Sequence, residues 1–174
     1  MKQYGILLMR CQPPHKGHQH LIDTVIADGL EPVVILGTAQ EARTAKNPYH
    51  PLERIHMIKL LYPTIQCYAL DDANCWDTWY DKLVSTIELV VTDNLDEVTI
   101  YLHDKQEDLQ DFTFRGVNYT NESYSKVYEI DGMHTTQLPI SDIKIRATSI
   151  REDLEANKHF LNPLIYNYIK GINL

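Results

Sequence analysis

Short apolar runs alternate with helix-length segments from the start of the chain to Leu102, and this alternation constrains the fold more than any other feature. The apolar runs that we predict as buried strands are residues 6–9, 32–36, 65–70 and 98–102. The intervening segments with helical spacing are residues 18–28, 51–62 and 76–91. Strands separated by helices are typical of βαβ units, so we predict an α/β fold with a doubly wound parallel sheet.

The pattern is weaker in the second half of the chain. Residues 112–125 are polar and are predicted as a loop, residues 126–130 as a fifth strand, and the segment from Thr148 as helix. A length of 174 residues suits one compact unit. The predicted limits are residues 1–174 for a single domain, 1–155 for its core and 156–174 for a C-terminal helical segment.

Charge and cysteine content limit the class of partner and the compartment. The formal net charge is −8, and an acidic chain binds anionic partners only through locally concentrated basic groups. We therefore predict no nucleic-acid partner and no membrane partner. Three cysteines without a CxxC pair indicate a reducing compartment. The apolar stretch near the start is short, and no run approaches the ~20 apolar residues of a membrane-spanning helix. We expect a cytoplasmic protein.

The turn after the first strand, residues 10–18, is the first candidate ligand site, because open parallel sheets bind ligands beyond the carboxyl ends of their strands. Gly17 lets the backbone approach a ligand closely, and the following helix start offers N–H groups to phosphate. His15 and His18 are three residues apart and can donate hydrogen bonds to phosphate oxygens from one side of the helix. The alternatives are ordinary surface histidines and a metal site that includes His20. No carboxylate or cysteine stands at ligand spacing, so we predict no metal ligand.

Two further turns carry candidate binding residues. The loop after the second strand contains Arg43 and Lys46, which can reach a triphosphate or can be ordinary solvated charges. Asp72 follows the third strand, and Trp79 comes seven residues later on the third helix. A flat indole recognises a cationic pyridinium ring well. Packing in the core is the alternative for Trp79, and the favoured interpretation for Trp76.

A second phosphate-binding turn is predicted near the C-terminal end of the pattern. Thr148 and Ser149 are good N-cap residues, and Arg151 follows them in the first turn of the helix they would begin. A helix start with two hydroxyls and a guanidinium can bind phosphate oxygens. The alternative is a capped surface helix.

These motifs resemble those of the nucleotidyltransferase superfamily, whose HxGH signature reads HKGH at residues 15–18. The longer string RxQPxHxGH resembles archaeal-type nicotinamide mononucleotide (NMN) adenylyltransferases, whose usual form is GRFQPFHxGH. The departures from that form are Met9, Cys11 and Pro14. Residues 37–54 resemble the family segment G(S/T)AQ…(R/K)(N/D)P(F/Y)…ER, and residues 145–151 resemble (I/S)SxTx(I/V)R. The turn at His103 is a looser match.

The resemblance implies a Rossmann-like fold and three groups of functional residues. The implied catalytic residues are His15, His18, Lys46 and Arg151. The implied contacts to ATP are Arg10, Gln12, Gly17, His103, Thr148, Ser149 and Ile150. The implied acceptor-binding residues are Thr38, Asn47, Arg54, Asp72 and Trp79.

The activity implied by the resemblance is transfer of AMP from ATP to NMN, giving NAD and pyrophosphate by direct in-line attack. Mg²⁺ would be held mainly by the substrate, and family members often form closed homo-oligomers. One alternative is an adenylyltransferase with another acceptor, phosphopantetheine or flavin mononucleotide. Two others are a non-catalytic sensor of nicotinamide nucleotides and a histidine-rich metallohydrolase.

Overall fold

The computed structural model describes residues 2–91, 97–103, 109–138 and 145–172. Its strands are β1 Tyr4–Met9, β2 Glu31–Leu36, β3 Gln66–Ala69, β4 Val98–Leu102, β5 Leu109–Phe114, β6 Val117–Ser123 and β7 His134–Gln137. Its helices are α1 Lys16–Ala27, α2 Pro51–Leu61, α3 Trp76–Glu88, α4 Lys126–Ile130, α5 Ala147–Glu152, α6 Leu154–Asn157, a 3₁₀ turn Lys158–Phe160 and α7 Pro163–Gly171. Among the residues described, no helix is both long enough and apolar enough to cross a bilayer.

Five parallel strands form the main sheet in the order β3-β2-β1-β4-β7. The chain builds outward from β1 to β3 and then returns to place β4 on the other side of β1. The order therefore reverses between β1 and β4, which is where open sheets of this kind bind ligands. The predicted Rossmann-like α/β fold class is confirmed.

Both faces of the sheet are covered, which explains why its central strands are continuously apolar. Alternate residues of β1 and β2 point to opposite faces: Ile6 and Val33 pack with α3 and α4, whereas Leu7 and Val34 pack with α1 and α2. A third apolar cluster joins α2 to α5 and α7, and Ile165 of α7 lies at its centre. The C-terminal helical segment is thus packed against the helix that follows the second strand.

Two predicted elements in the second half of the chain are wrong. Residues 112–125 are largely a hairpin of β5 and β6 that is separate from the main sheet, not a loop. Its side chains are mostly exposed, so the hydrophobic alternation that marks a strand is missing. Residues 126–130 form α4, not a fifth strand. Only Val127 and Tyr128 are buried there, and two adjacent apolar residues do not distinguish a helix from a strand.

The last strand of the sheet, β7, was not predicted, because all four of its residues are exposed. The helix predicted from Thr148 is present but is divided into α5, α6, the 3₁₀ turn and α7. Asp153 ends α5 and caps α6, and Asn162 caps α7 ahead of Pro163. Asp and Asn compete with helix by hydrogen bonding to nearby backbone N–H groups, so the segment breaks at these positions.

Candidate active site

A cleft of about 450 Å³ opens at the carboxyl ends of β1, β2 and β3. It is lined by Leu8, Met9, Arg10, Gly37, Thr38, Asp72, Ala73, Asn74, Cys75, Trp76, Trp79 and Tyr124. Four of the predicted site residues, Arg10, Thr38, Asp72 and Trp79, therefore come together in one cavity. Among the described residues, neither Lys46 nor His103 lines this cleft.

His15 and His18 form a reciprocal cap at the start of α1. His15 Nδ1 accepts a hydrogen bond from the Gly17 N–H at 3.0 Å, and His18 Nδ1 accepts one from the His15 N–H at 3.1 Å. The centroids of the two rings are 3.8 Å apart, and the ring planes are tilted by 31°. Because Nδ1 of each neutral ring is an acceptor, the ring proton lies on Nε2. Each histidine is thereby held in the tautomer whose Nε2–H can donate to a phosphate oxygen.

Gly17 is required by the position of the His15 ring. A Cβ atom at residue 17 would lie 2.8 Å from His15 Cε1 and 2.9 Å from its Nδ1, closer than real Cβ contacts. For Gly17→Ala we expect the free energy of unfolding to change little, because a helix-propensity gain of about 1 kcal/mol offsets a similar loss from the cap. Displacement of the imidazole should nevertheless weaken the binding of a phosphate ligand at this turn by about tenfold.

Titration with inorganic triphosphate and thermal unfolding test this expectation, with His20→Ala as the control because His20 is exposed on the same helix and lies outside the turn. Wild-type affinity for Gly17→Ala would show that the His15 ring position is unimportant.

Two predicted ligand contacts, Gln12 and Arg54, are buried and bind the backbone instead. The Gln12 side-chain amide donates to the Tyr49 carbonyl at 3.1 Å and accepts from the Tyr49 N–H at 3.0 Å. Arg54 Nη1 donates to the carbonyl oxygens of Arg10 and Gly37, both at 2.9 Å. These side chains join the turn after β1 to the loop after β2, across 37 and 44 residues of sequence.

The guanidinium groups of Arg10, Arg54 and Arg151 are near enough to influence one another. Burial lowers the pKa of Arg54 and that of Arg151, and the charge of Arg10 lowers both pKa values further. The described residues contain no ion pair for any of the three. An acidic chain thus concentrates positive charge at the carboxyl ends of β1 and β2, an arrangement suited to a polyphosphate.

Helix α5 brings Arg151 to the turn after β1. Arg151 Nη1 donates to the Gln12 carbonyl at 2.8 Å, and its Nη2 donates to Thr148 Oγ1 at 3.2 Å. The predicted N-cap role of Thr148 and Ser149 is wrong, because the helix begins at Ala147 with Arg146 in the cap position. The Ile150 side chain is buried in the third apolar cluster, so only its backbone can face a ligand.

The loop after β2 forms one wall of the cleft. Thr38 Oγ1 donates to Asp72 Oδ1 at 3.2 Å, and Gln40 Nε2 donates to Asp72 Oδ2 at 2.9 Å, which fixes the carboxylate at the end of β3. Asn47 is buried and its N–H donates to Thr44 Oγ1 at 2.9 Å, so it shapes the loop from within. Lys46, next to it, is exposed.

Aromatic rings form the opposite wall. Trp76 and Tyr124 are stacked with centroids 5.6 Å apart, and Trp79 meets each of them edge-on at 5.3 and 6.2 Å. The Trp76 ring also packs on Phe112 of the hairpin. Trp76 is therefore both a packing residue and part of the cleft. Tyr124 was missed because it lies in a polar segment where nothing in the sequence links it to the two tryptophans.

His103 directly follows β4 and is partly exposed. The rest of the predicted motif, from residue 104, lies outside the described part of the chain. Within the described ranges, no group of three or more His, Cys, Asp or Glu side chains is placed to hold a metal ion.

The family model of cytidylyltransferase-like proteins matches residues 10–153, which include both histidines of the first turn and Arg151. The chain belongs to the cytidylyltransferase-like family. The resemblance to nucleotidyltransferases expected from HKGH is confirmed.

The chain is also similar in sequence to proteins named nicotinamide-nucleotide adenylyltransferase. The chain is 39% identical over 56 residues to nicotinamide-nucleotide adenylyltransferase of Aeropyrum pernix, covering 32% of this chain and 33% of that protein. It is 29% identical over 103 residues to the Thermococcus onnurineus protein of the same name, covering 54% and 55%. The chain thus matches between a third and about half of the length of these curated relatives.

Solved structures share the fold. A bifunctional NMN adenylyltransferase/ADP ribose pyrophosphatase from Francisella tularensis aligns with a TM-score of 0.77 at 20% identity, over 98% of this chain and 49% of that one. The structure of that protein complexed with AMP and a manganese ion aligns with a TM-score of 0.75 at 18% identity, over 98% and 48%.

Proposed function

We propose that this protein transfers AMP from ATP to NMN, producing NAD and pyrophosphate. One observation carries the proposal: Arg10 belongs both to the histidine turn and to the lining of the aromatic cleft. A phosphate-binding turn and a pocket for a flat ring therefore meet at a single residue. An adenylyltransferase needs this arrangement, because the phosphate of the acceptor must reach the α-phosphorus of ATP.

In the proposed reaction, an oxygen of the acceptor 5′-phosphate attacks the α-phosphorus of ATP in line with the leaving pyrophosphate. A phosphorus–oxygen bond forms, the bond from the α-phosphorus to the bridging oxygen breaks, and the electron pair leaves with pyrophosphate. The attacking oxygen is already anionic, so no side chain has to remove a proton. Catalysis then depends on positioning and on stabilising the charge that grows on pyrophosphate.

The described residues supply that stabilisation in three ways. The Nε2–H groups of His15 and His18 can donate to phosphate oxygens, because the Nδ1 atoms of both rings are engaged by the cap. Arg10 and Arg151 add positive charge on either side of the same turn. We infer that Lys46, exposed on the loop after β2, reaches the triphosphate when ATP binds.

The donor set fits Mg²⁺ held by the substrate. Magnesium prefers oxygen ligands, whereas the side chains that converge on the turn after β1 are arginines and histidines. Phosphate oxygens would therefore supply most of the coordination, and the ion would neutralise part of the triphosphate charge. The relative from Francisella tularensis binds manganese together with AMP, which supports a divalent ion without selecting magnesium.

The cleft supports NMN over phosphopantetheine. Trp79, Trp76 and Tyr124 offer flat faces and edges to a cationic pyridinium, whereas the flexible pantetheine arm gains little from aromatic stacking. The Asp72 carboxylate adds negative charge on the other side of the cleft, with Thr38 beside it.

Pyrophosphate release from ATP and Mg²⁺ tests the proposal, with NMN, nicotinic acid mononucleotide, phosphopantetheine and flavin mononucleotide offered in turn. Release that depends on NMN, with NAD formed in equal amount, is the expected result. Release with phosphopantetheine or flavin mononucleotide alone would keep the reaction and refute the acceptor. Tight NMN binding without release would make the protein a sensor. Loss of activity on chelation that zinc restores and magnesium does not would favour a metallohydrolase.

Replacing Trp79 tests the acceptor site directly. For Trp79→Leu we expect the KM for NMN to rise about tenfold with the KM for ATP unchanged, because a ring–cation contact is worth ~1–2 kcal/mol when partly desolvated. Trp79→Phe keeps an aromatic face and is the matched control, expected to retain most of the affinity. Equal rises in both KM values would mean that Trp79 serves packing only.

The other expectations from the sequence stay predictions. They are the single domain of residues 1–174, the homo-oligomer, the absence of a nucleic-acid partner and the cytoplasmic location.

A further inference from the structure

Arg54 is among the largest fully buried side chains described, although it carries a positive charge. It lies one turn into α2, whose start is set by Pro51 and by a reciprocal cap between His50 and Glu53. Residues three and four apart share a helix face, so Arg54 lies on the buried face with Met57 and Ile58. A buried charge is costly unless its surroundings compensate for it.

The compensation comes from backbone carbonyl groups at the ends of two strands. Nη1 of Arg54 donates to the carbonyl oxygens of Arg10, after β1, and Gly37, after β2, each at 2.9 Å. Its Nη2 donates to the carbonyl oxygen of Thr38 at 3.3 Å. The Nε atom is buried and has no hydrogen-bond partner in the described part of the chain. No carboxylate described forms an ion pair with the side chain.

The three carbonyl groups belong to residues on both sides of the proposed reaction. Arg10 leads into the histidine turn, where the triphosphate is proposed to bind. Thr38 holds the Asp72 carboxylate through its hydroxyl group, in the cleft where the acceptor is proposed to bind. One rigid guanidinium therefore connects the backbone of two half-sites, the histidine turn and the acceptor cleft. Each of its N–H groups that forms a hydrogen bond donates to a backbone oxygen.

We propose that Arg54 is a positioning residue that sets the distance between the ATP turn and the acceptor cleft without touching either substrate. The inference rests on the proposed function and changes the role expected for Arg54 from the sequence, which was direct contact with the acceptor. Lysine cannot replace it, because a single ammonium lacks the planar fork that reaches two carbonyl groups from one nitrogen and a third from the other.

The test compares Arg54→Lys with a variant that is equally destabilised elsewhere. Ile87→Ala removes a fully buried side chain from α3, eight residues and about 12 Å along the helix from Trp79, the nearest cleft residue on that helix. Both variants should lower Tm by roughly 10 °C. At 25 °C we expect Arg54→Lys to lower kcat at least tenfold and to raise the KM for ATP and for NMN, whereas Ile87→Ala keeps wild-type kinetics.

Equal kinetic losses in Arg54→Lys and Ile87→Ala would reduce Arg54 to a stabilising residue, and wild-type kinetics for Arg54→Lys would refute the inference. Failure of the wild-type protein to release pyrophosphate with any acceptor would instead refute the proposed function. The two failures are therefore distinguishable.

A measurement on the wild-type protein covers the case in which Arg54→Lys does not fold. The Nε–H resonance of Arg54 should shift in NMR spectra when a non-hydrolysable ATP analogue is added, and again when NMN is added alone. The Arg115 Nε–H resonance, on the hairpin turn, is the control and should stay in place. An Arg54 resonance that responds to neither ligand, or to one only, would contradict a role in both half-sites.

Discussion

Replacing His18 by alanine is expected to lower kcat for pyrophosphate release from ATP and NMN by about 100- to 1,000-fold. Donors aimed at developing charge contribute on the order of that factor in other enzymes, because they act in a site with little water. The His18 ring is held for this purpose: its Nδ1 accepts the His15 N–H at 3.1 Å, which leaves the proton on Nε2. Steady-state kinetics at saturating ATP and NMN provide the measurement.

His20→Ala is the matched control for His18→Ala. His20 lies two residues further along α1 and is exposed, so its removal changes the same helix without touching the cap. Loss of the His18 cap should cost about 1 kcal/mol of unfolding free energy, too little to unfold the protein. If both variants keep wild-type kcat, the histidine turn has no part in catalysis. Equal losses in the two variants would assign the effect to the helix.

Replacing Arg151 by alanine is expected to lower kcat/KM for ATP by about 30- to 100-fold. A charge-assisted hydrogen bond is worth about 1.5–3 kcal/mol, and each 1.4 kcal/mol is a factor of ten. Arg151 also donates to the Gln12 carbonyl at 2.8 Å, so its loss releases the turn that carries the histidines. The KM for NMN should change less than the KM for ATP, because Arg151 does not line the aromatic cleft.

Arg146→Ala supplies the control for Arg151→Ala. Arg146 precedes α5 in the cap position, is exposed and has the same charge. A nonspecific effect of net charge on ATP binding would appear in both variants and would fade at high salt. An effect confined to Arg151→Ala would assign it to the phosphate site. A larger change in the KM for NMN than for ATP would contradict the proposed division of the site.

The sequence predicted the first four strands and first three helices because each is a local pattern. Val98–Leu102 was located to the residue, and β1, β2 and β3 within two residues at either end. Their side chains face a covered sheet, so continuous apolar runs mark them. The hairpin and β7 were not predicted because most of their side chains are exposed. The hairpin lies apart from the main sheet, β7 lies at its edge, and their few aromatic contacts leave no periodic apolar pattern in the sequence.

The residues of the candidate site likewise divide into those that a local motif places correctly and those whose orientation only tertiary contacts decide. His15, Gly17 and His18 stand in a motif whose spacing places them at a helix start, and the structure has them there. Arg151 was expected in the first turn of its helix but lies in the last turn of α5, because that helix begins earlier, at Ala147. Gln12 and Arg54 stand in the same motifs, yet their side chains turn inward to bind the backbone. A motif records that a residue type is needed at a position; it does not record whether the side chain faces a ligand or the protein.

By itself, the sequence determined the α/β class, the parallel sheet expected of it and the turn in which phosphate is proposed to bind. These follow from hydrophobic periodicity and helix-start chemistry, which act over a few residues. Only the tertiary structure decided that Tyr124 joins Trp76 and Trp79 in one cleft and that Arg54 binds the backbone after β1 and after β2. Those contacts join residues far apart in the chain, and the packing of the hairpin and of α2 on the sheet, not any local preference, brings them together.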